Sequence, residues 1–538
     1  MMPPAILTSN SWYTQTVFRR YVAAGLLLAY IIFIAQSSAI GLGDMSNHLA
    51  RAYILADLIF HHGAAFGAQF QYHFLAVPYV LPDLLLTAAV DVLGPGIALA
   101  SWTVLTFLSI PAALLLYFRV ILGTTDKGLL EDEGAMFLLL CATYLSTDWF
   151  FVNGFFAFNL GLACVIVILT LIELLRHRWS SGLFALYSGL VVTGYLIHLS
   201  TLLFLATIIA VRAMVRLWFR SSRLRYELFL FAPIVAMLAW HFGVAEHYRH
   251  PTELANGIYS WGTLHGKMLR MTTTNFQRYG GRLDPFLRYL YVASLLMLIR
   301  RRAWRDTFSN LRAIELLAVA AAFMVMYFAL PFSYREASYV DIRMLAPATL
   351  FVLLACLHLP RVEPLPQSFR HTPSVAVVLA FVLSILNLAY LEKYFIKLSS
   401  WSANYRALFA AIPRGASVLP VYTVQDIFKY ADPASITVID RLTLDPYLFS
   451  ANSGDPMTYF RFVNPQYRPA DNWYARGPSL VDWRRVACTY QYILVTQPFD
   501  LQRIRVATHR IAETSSAVLL SIDSRACGEL NSDTQKSY

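Results

Sequence analysis

Gly41–Asp57 reads GLGDMSNHLARAYILAD and follows directly on Tyr21–Ile40, YVAAGLLLAYIIFIAQSSAI. The earlier stretch offers about twenty residues without a charge, enough to cross a bilayer core. Arg19 and Arg20 precede it, and the positive-inside asymmetry then keeps the N-terminus cytoplasmic and brings Asp44 out on the far side. The stretch is too long for a cleaved signal peptide and lacks the small-residue cleavage pattern, so it reads as a retained anchor. On a helix, Asp44, His48 and Arg51 fall at i, i+4 and i+7 along one stripe. An acid, an imidazole and a guanidinium thus gather at the outer membrane surface.

The rest of the 538-residue chain agrees with that start. It is 57% hydrophobic and only 14% charged, with a mean hydropathy of +0.52. Soluble domains carry about 25% charged residues, so the composition is that of a polytopic membrane protein. The net charge of +11 lies mainly in short loops between apolar segments. That distribution follows the positive-inside rule and excludes nucleic acid as the partner.

Beyond the anchor, Met45–His62 reads as an amphipathic helix lying in the interface. Leu75–Leu93 carries Pro78, Pro82, Asp83 and Asp91 and suits an interfacial or re-entrant helix. Further spans are expected near 97–118, 135–147, 154–175, 182–197, 199–218, 227–244, 286–299, 313–331, 344–359 and 373–391, which makes about eleven. Arg176, Arg178, Arg212, Arg216, Arg220, Arg223 and Arg225 fall between alternate spans, as do Arg300–Arg302, Arg305, Arg361 and Arg370. Read as cytoplasmic loops, they leave the C-terminus outside. The tightest point is Tyr195–Thr201, which must turn in a very short hairpin.

Residues 1–399 therefore form the membrane domain, with a first external loop at 41–96. Composition changes near residue 400, and 400–538 reads as a small extracytoplasmic α/β domain. Strand-like runs occur at Ser417–Val421, Ser435–Ile439, Tyr492–Thr496 and Ala517–Ile522, and Asp500–Ile511 is helix-compatible. No phosphate-binding glycine loop is present. Cys141, Cys164 and Cys356 lie in apolar segments as inert core thiols. Outside the cytoplasm Cys488 and Cys527 could form a disulfide; the alternative is two unpaired thiols.

Chemistry has to come from the external loops. The first holds Asp44, His48, Arg51, Asp57, His61, His62 and His73; the second holds Asp148 and Asn153 in STDWFFVNGFFAFNLG. His198 sits at the hairpin tip. The long loop 246–288 carries Lys267, Arg270, Arg278 and Arg282, and PFSYREASYVDIRMLAP carries Arg335, Glu336, Asp341 and Arg343. Cations on this face can hold the phosphate of a lipid-carried substrate. They equally suit a solvated loop or anionic headgroups. Asp44 follows Gly43 and could simply cap the interfacial helix through the amide near Asn47. Neither HEXXH nor a GxSxG elbow occurs.

The first-loop acid, the amphipathic loop helix, about eleven spans and an external C-terminal domain together resemble the GT-C superfamily of integral membrane glycosyltransferases. NGFFAFNLG, GYLIHLS and DIRMLAP are similar to stretches in uncharacterised bacterial members. The resemblance implies an inner-membrane enzyme that takes a sugar from a polyprenyl-phosphate carrier and passes it to a periplasmic glycan or lipid. It implies Asp44 as the catalytic acid, either general base or ligand of a divalent cation such as Mg or Mn. Asp148 stands nearest to the second acid of some members. His48, Arg51, Lys267, Arg270, Arg335 and Arg343 are the substrate- and phosphate-binding candidates. The chain lacks a WWD-type signature and has no second acid beside Asp44, which argues against transfer to protein asparagine or a protein-mannosyltransferase pattern. A lipid-linked-sugar flippase or a non-catalytic envelope assembly protein remains as the alternative.

Overall fold

The computed structural model describes residues 8–36, 43–72, 74–122, 133–220, 224–243, 261–274, 283–300, 310–334, 337–358, 375–421, 434–444, 457–459, 483–496, 501, 504–523, 525 and 527. The chain opens with α1 (Thr8–Gln36), α2 (Met45–Phe60), β1 (Phe70–Tyr72), α3 (Val80–Leu93) and α4 (Pro95–Leu122). Next come α5 (Glu133–Ser146), the one-turn α6 (Trp149–Val152), α7 (Phe156–His177), α8 (Ser181–Ile197), α9 (Leu199–Trp218) and α10 (Leu224–Gly243). The sequence continues with α11 (Leu264–Thr274), α12 (Leu283–Arg300), α13 (Leu311–Ala329) and a small hairpin of β2 (Ser333–Tyr334) and β3 (Ala337–Ser338). A 3₁₀ turn, Ile342–Met344, leads into α14 (Leu345–His358), followed by α15 (Val375–Phe409).

Each of the eleven expected spans is a helix. Among the described residues six helices are long and apolar enough to cross a bilayer, and four further apolar helices are shorter. The architecture is therefore that of a multi-pass helical bundle. At its centre stands α7, with 78% of its most apolar stretch buried inside the protein. It packs on α4, α8 and α9, and one apolar cluster that includes Leu162, Ile166, Phe204, Leu205, Phe323 and Phe351 joins α7 and α9 to α13 and α14. In lipid such packing gains from van der Waals fit and buried polar links rather than from exclusion of water. One such link ties α1, α5 and α15: Tyr30 Oη donates to Ser384 O at 2.7 Å, and Asn387 Nδ2 meets Tyr30 Oη and Thr147 Oγ1, each at 2.9 Å.

The short hairpin between α8 and α9 is built on two glycines. A Cβ on Gly161 would lie 2.7 Å from Thr201 Oγ1, and one on Gly194 would lie 2.6 Å from Thr201 Cγ2. The Thr201 side chain therefore seats against the backbones of α7 and α8, where only glycine leaves room for it. His198 is left at the turn.

Arg212 and Arg216 are not loop residues. They lie within α9, both buried, at the bundle end opposite Asp44. Arg216 pairs with Glu227 at 2.6 Å and Glu315 at 2.8 Å; Arg212 pairs with Glu173 at 2.8 Å. Arg176 also reaches Glu173 at 2.8 Å. The expected span 199–218 already reaches past them, and carboxylates on α7, α10 and α13 are what hold them inside the bundle rather than in a loop. Each guanidinium then meets an opposite charge, the condition for burying one.

The C-terminal region contains β4 (Val418–Val421), α16 (Ala434–Arg441), β5 (Met457–Tyr459), α17 (Trp483–Thr489), β6 (Tyr492–Thr496), β7 (Thr508–Glu513) and β8 (Ala517–Ile522). Its sheet has the order β4-β6-β8-β7, parallel between β4 and β6 and antiparallel elsewhere. The central strands are buried on both faces, which explains their continuous apolar runs. Val418, Leu494 and Leu519 meet the end of α15, whereas Leu419, Ile493 and Leu520 meet Trp483 and Val486 of α17. Cys488 and Cys527 are disulfide-bonded.

Two local expectations are corrected here. Ser435–Ile439, rich in β-branched residues, is helical in α16, wedged between two clusters: Ile436 is buried with the end of α15 and β4, Val438 on the other side among residues of α2. The end of Asp500–Ile511 is an edge strand, β7, since it pairs with β8. Pattern alone could not weigh those partners.

The C-terminal region also grips the first loop. β5 pairs antiparallel with β1, Phe70 opposite Tyr459, and α16 packs behind α2. Helix α15 itself runs through residue 400 into this region.

Candidate active site

Helix α2 begins at a contact made by its preceding glycine. Gly43 has φ +35°, and a Cβ there would lie 2.0 Å from Asn153 O. The next amide, Asp44 N–H, donates to that same carbonyl at 2.9 Å. The start of α2 is thereby fixed to the end of α6. Asp44 occupies the capping position, but with helical dihedrals and no side-chain cap bond. Its carboxylate turns instead to His48, Oδ2 to Nε2 at 3.3 Å.

His48 is held from its other side by Asp83 of α3, Nδ1 to Oδ1 at 3.2 Å. The second oxygen of Asp83 takes a short ion pair from Arg51. Arg51 Nη2 also lies 3.0 Å from His48 Nδ1, so two donors sit side by side and share one carboxylate. A carboxylate facing each ring nitrogen suits the doubly protonated imidazolium. Burial and the charge of Arg51 oppose that form, but the bonds to Asp44 and Asp83 outweigh them and raise the His48 pKa to about 9. Burial likewise works against the Asp83 anion, yet Arg51 and His48 hold its pKa below the ordinary value.

A second group adjoins. Tyr79, in the left-handed region at φ +73°, precedes α3 and brings its hydroxyl within 2.8 Å of His198 Nε2. His198 caps α9: Nδ1 accepts the Ser200 N–H at 3.0 Å. Burial, then the charges of Arg343 and His48, hold its pKa well below 6.5. The neutral ring therefore carries its hydrogen on Nε2 and donates to Tyr79 Oη. Arg343 Nη1 lies 3.4 Å from this same nitrogen, which cannot accept from it. The Arg343 guanidinium also faces the ring of Phe155, 6.0 Å away. Beyond it, Trp149, Tyr339 and Phe332 form a half-buried aromatic row, with Arg270 stacked over Phe332 at 4.5 Å.

Of the residues singled out by sequence, Asp44, His48, Arg51 and Arg343 come together, and Arg270 flanks them. Lys267 is committed elsewhere. Buried, it donates to Tyr327 O at 2.9 Å, Phe328 O at 3.1 Å and Leu330 O, closing the C-terminus of α13, and it faces Asp341 at 3.5 Å. An ammonium has three hydrogens, so none remains for a phosphate. Asp148 caps α6, accepting from Phe151 N at 2.9 Å, and Asn159 Nδ2 lies 3.4 Å away. Arg335, His73, Arg278 and Arg282 lie outside the described residues.

Asp83 and Tyr79 were not among the candidates, and His198 was noted at the hairpin tip without a role. The sequence shows Asp83 as one of two acids in a largely apolar stretch, but not that it is buried or what it faces. Among the described residues no group of three or more His, Cys, Asp or Glu is arranged to hold a metal. With Asp148 used at a helix end and Asp44 against an imidazolium, that pair does not fit Mg or Mn.

The bundle, the loop helices at one of its ends and the C-terminal region that meets them through α16 and β5 have a GT-C-like fold. Solved structures with a similar fold include ArnT from Cupriavidus metallidurans. The apo crystal structure of ArnT matches with a TM-score of 0.56 over 97% of this chain and 99% of that one, at 13% identity. A second ArnT structure, bound to undecaprenyl phosphate, matches over 96% of this chain and 98% of that one, with a TM-score of 0.47 and 12% identity. No family model and no curated protein matches the sequence.

Proposed function

We propose that this protein is a glycosyltransferase of a bacterial inner membrane. It moves a sugar from a polyprenyl-phosphate carrier to a glycan or lipid acceptor at the periplasmic face. The observation that carries this reading is the Asp44 carboxylate, turned from its capping role onto a buried charge network on a GT-C-like fold.

In the proposed reaction an acceptor hydroxyl attacks the anomeric carbon, and the bond from that carbon to the phosphate oxygen breaks. The electron pair leaves with the phosphate, and Asp44 takes the hydroxyl proton as general base. His48, charged and bonded on both sides, orients that carboxylate and is not itself a base. Arg343 and Arg270 supply positive charge for the departing phosphate, and the aromatic row between them offers a surface for the sugar or first isoprene unit. The reaction needs no metal in this scheme. An N-terminus in the cytoplasm and a periplasmic C-terminal region complete the reading; the Cys488–Cys527 bond supports the second, since disulfides persist in oxidising compartments.

A flippase would need a polar path through the bundle. Among the described residues the buried charges instead form separate groups towards the two ends, and Leu162, Ile166, Phe204 and Phe323 lie between the Arg212–Arg216 cluster and the Asp44 site. Purified protein with radiolabelled polyprenyl-phosphate sugars tests the proposal. Transfer should occur in wild type and disappear in Asp44→Asn at unchanged expression; full transfer by Asp44→Asn would overturn it.

A further inference from the structure

Asp83 lies at the first turn of α3 and is 1% exposed. Its amide donates to Tyr79 O at 3.1 Å, and its carbonyl receives Thr87 Oγ1 at 2.7 Å, so the backbone is held as firmly as the side chain. The carboxylate touches two cations, His48 and Arg51, and reaches Asp44 only through the His48 ring. Together Asp44, Asp83, His48 and Arg51 sum to zero charge. Removing Asp83 would leave Arg51 Nη2 and His48 Nδ1 facing one another at 3.0 Å without the carboxylate they share.

Resting on the function proposed above, we propose that Asp83 is a positioning residue that acts through His48 to hold the Asp44 carboxylate in its working orientation. It does so by keeping a proton on His48 Nδ1, so that the ring donates in both directions. With asparagine at position 83 the ring gives up that proton, Nδ1 accepts from Arg51, and only the hydrogen bond from Nε2 to Asp44 survives. The charge opposite Asp44 is lost while the packing is kept.

The groups facing His48 are few. Asp44 and Arg51 come from its own helix, Asp83 and Tyr79 from α3 and the turn before it, and His198 and Arg343 from beyond Tyr79. Helices α4 and α16 meet α2 through apolar residues such as Leu99 and Val438. Asp440 and Arg441 of α16 turn away, to Arg406 and to Ala410 O.

The test reads His48 directly and then the rate. Full-length protein carrying ¹³Cε1-labelled histidine is titrated in nanodiscs, with His48→Gln identifying the resonance. In wild type the His48 signal should titrate near pH 9. In Asp83→Asn its midpoint should fall by more than a pH unit, and kcat should fall roughly 10²-fold with little change in the KM for the donor, as expected for a misplaced base. An unchanged His48 midpoint in Asp83→Asn would overturn the proposal, as would a lower midpoint with wild-type kcat. If Asp83→Asn does not accumulate, His48→Gln serves: it should lose the alkaline limb of the wild-type rate profile, and retention of that limb overturns the proposal. The titration needs no substrate. Failure of the glycosyltransferase reading would show separately, as absence of transfer by wild type or full transfer by Asp44→Asn.

Discussion

Replacing Gly43 by alanine tests whether Asp44 is placed by its contact with α6. The new Cβ would lie 2.0 Å from Asn153 O, 2.4 Å from its carbonyl carbon and 2.7 Å from its Cα. Ordinary carbon contacts begin near 3.5 Å, so the backbone at residue 43 has to retreat by roughly 1 Å or more. The obstacle is backbone and cannot swing aside. A positive φ on alanine adds about 1 kcal/mol, and losing the Asp44 N–H bond to Asn153 adds about 1 kcal/mol more. The expected total is about 2–3 kcal/mol of local stability, together with a shift of Asp44 that should lower kcat about 10²-fold. Gly94→Ala is the matched control, since Gly94 has φ +77° and nothing within 4 Å of its would-be Cβ. Thermal midpoints in detergent and transfer kinetics of both variants supply the readout. Wild-type kcat in Gly43→Ala would refute the claim that this contact positions the carboxylate.

Lys267→Met should destabilise the protein by roughly 3–5 kcal/mol, because it strands Asp341 and three carbonyl oxygens, while the donor KM of the folded fraction stays unchanged; chemical denaturation beside kinetics checks both. The raised His48 pKa makes stability depend on pH. The contribution, about 3 kcal/mol for a rise from 6.5 to about 9, is complete below pH 6.5 and is lost as pH climbs through 9. Thermal midpoints should fall across that window, and His48→Gln should flatten the fall. At the opposite end, Glu315→Ala leaves Arg216 without one of its two carboxylates and should cost roughly 3–5 kcal/mol. Its kcat per folded molecule should stay at the wild-type value, measured by active fraction against detergent melting.

Helix identity was legible because each span writes a long apolar run, and the paired arginines before Tyr21 oriented the reading. Asp44, His48 and Arg51 could be placed on one stripe because a helix has a fixed period. What one helix faces is not written in its own period. Asp83 and His198 became visible only when α3 and the α8–α9 turn were folded against α2. Lys267 misled for the same reason: an external lysine reads as a ligand for phosphate until the carbonyl ends of α13 appear around it. Arg212 and Arg216 obeyed the charge bias yet sit inside a helix, since carboxylates distant in sequence share the cluster.

The strand pair between β1 and β5 sets an order on biosynthesis. Asp44 leaves the ribosome early, yet the brace behind its helix is incomplete until the chain has been made through Tyr459. Nascent or prematurely terminated chains would insert their spans and still lack that support. Under the proposed function, the membrane would thus hold no half-finished protein able to act on a carrier lipid, and shortening the tail should silence the protein before it unfolds it.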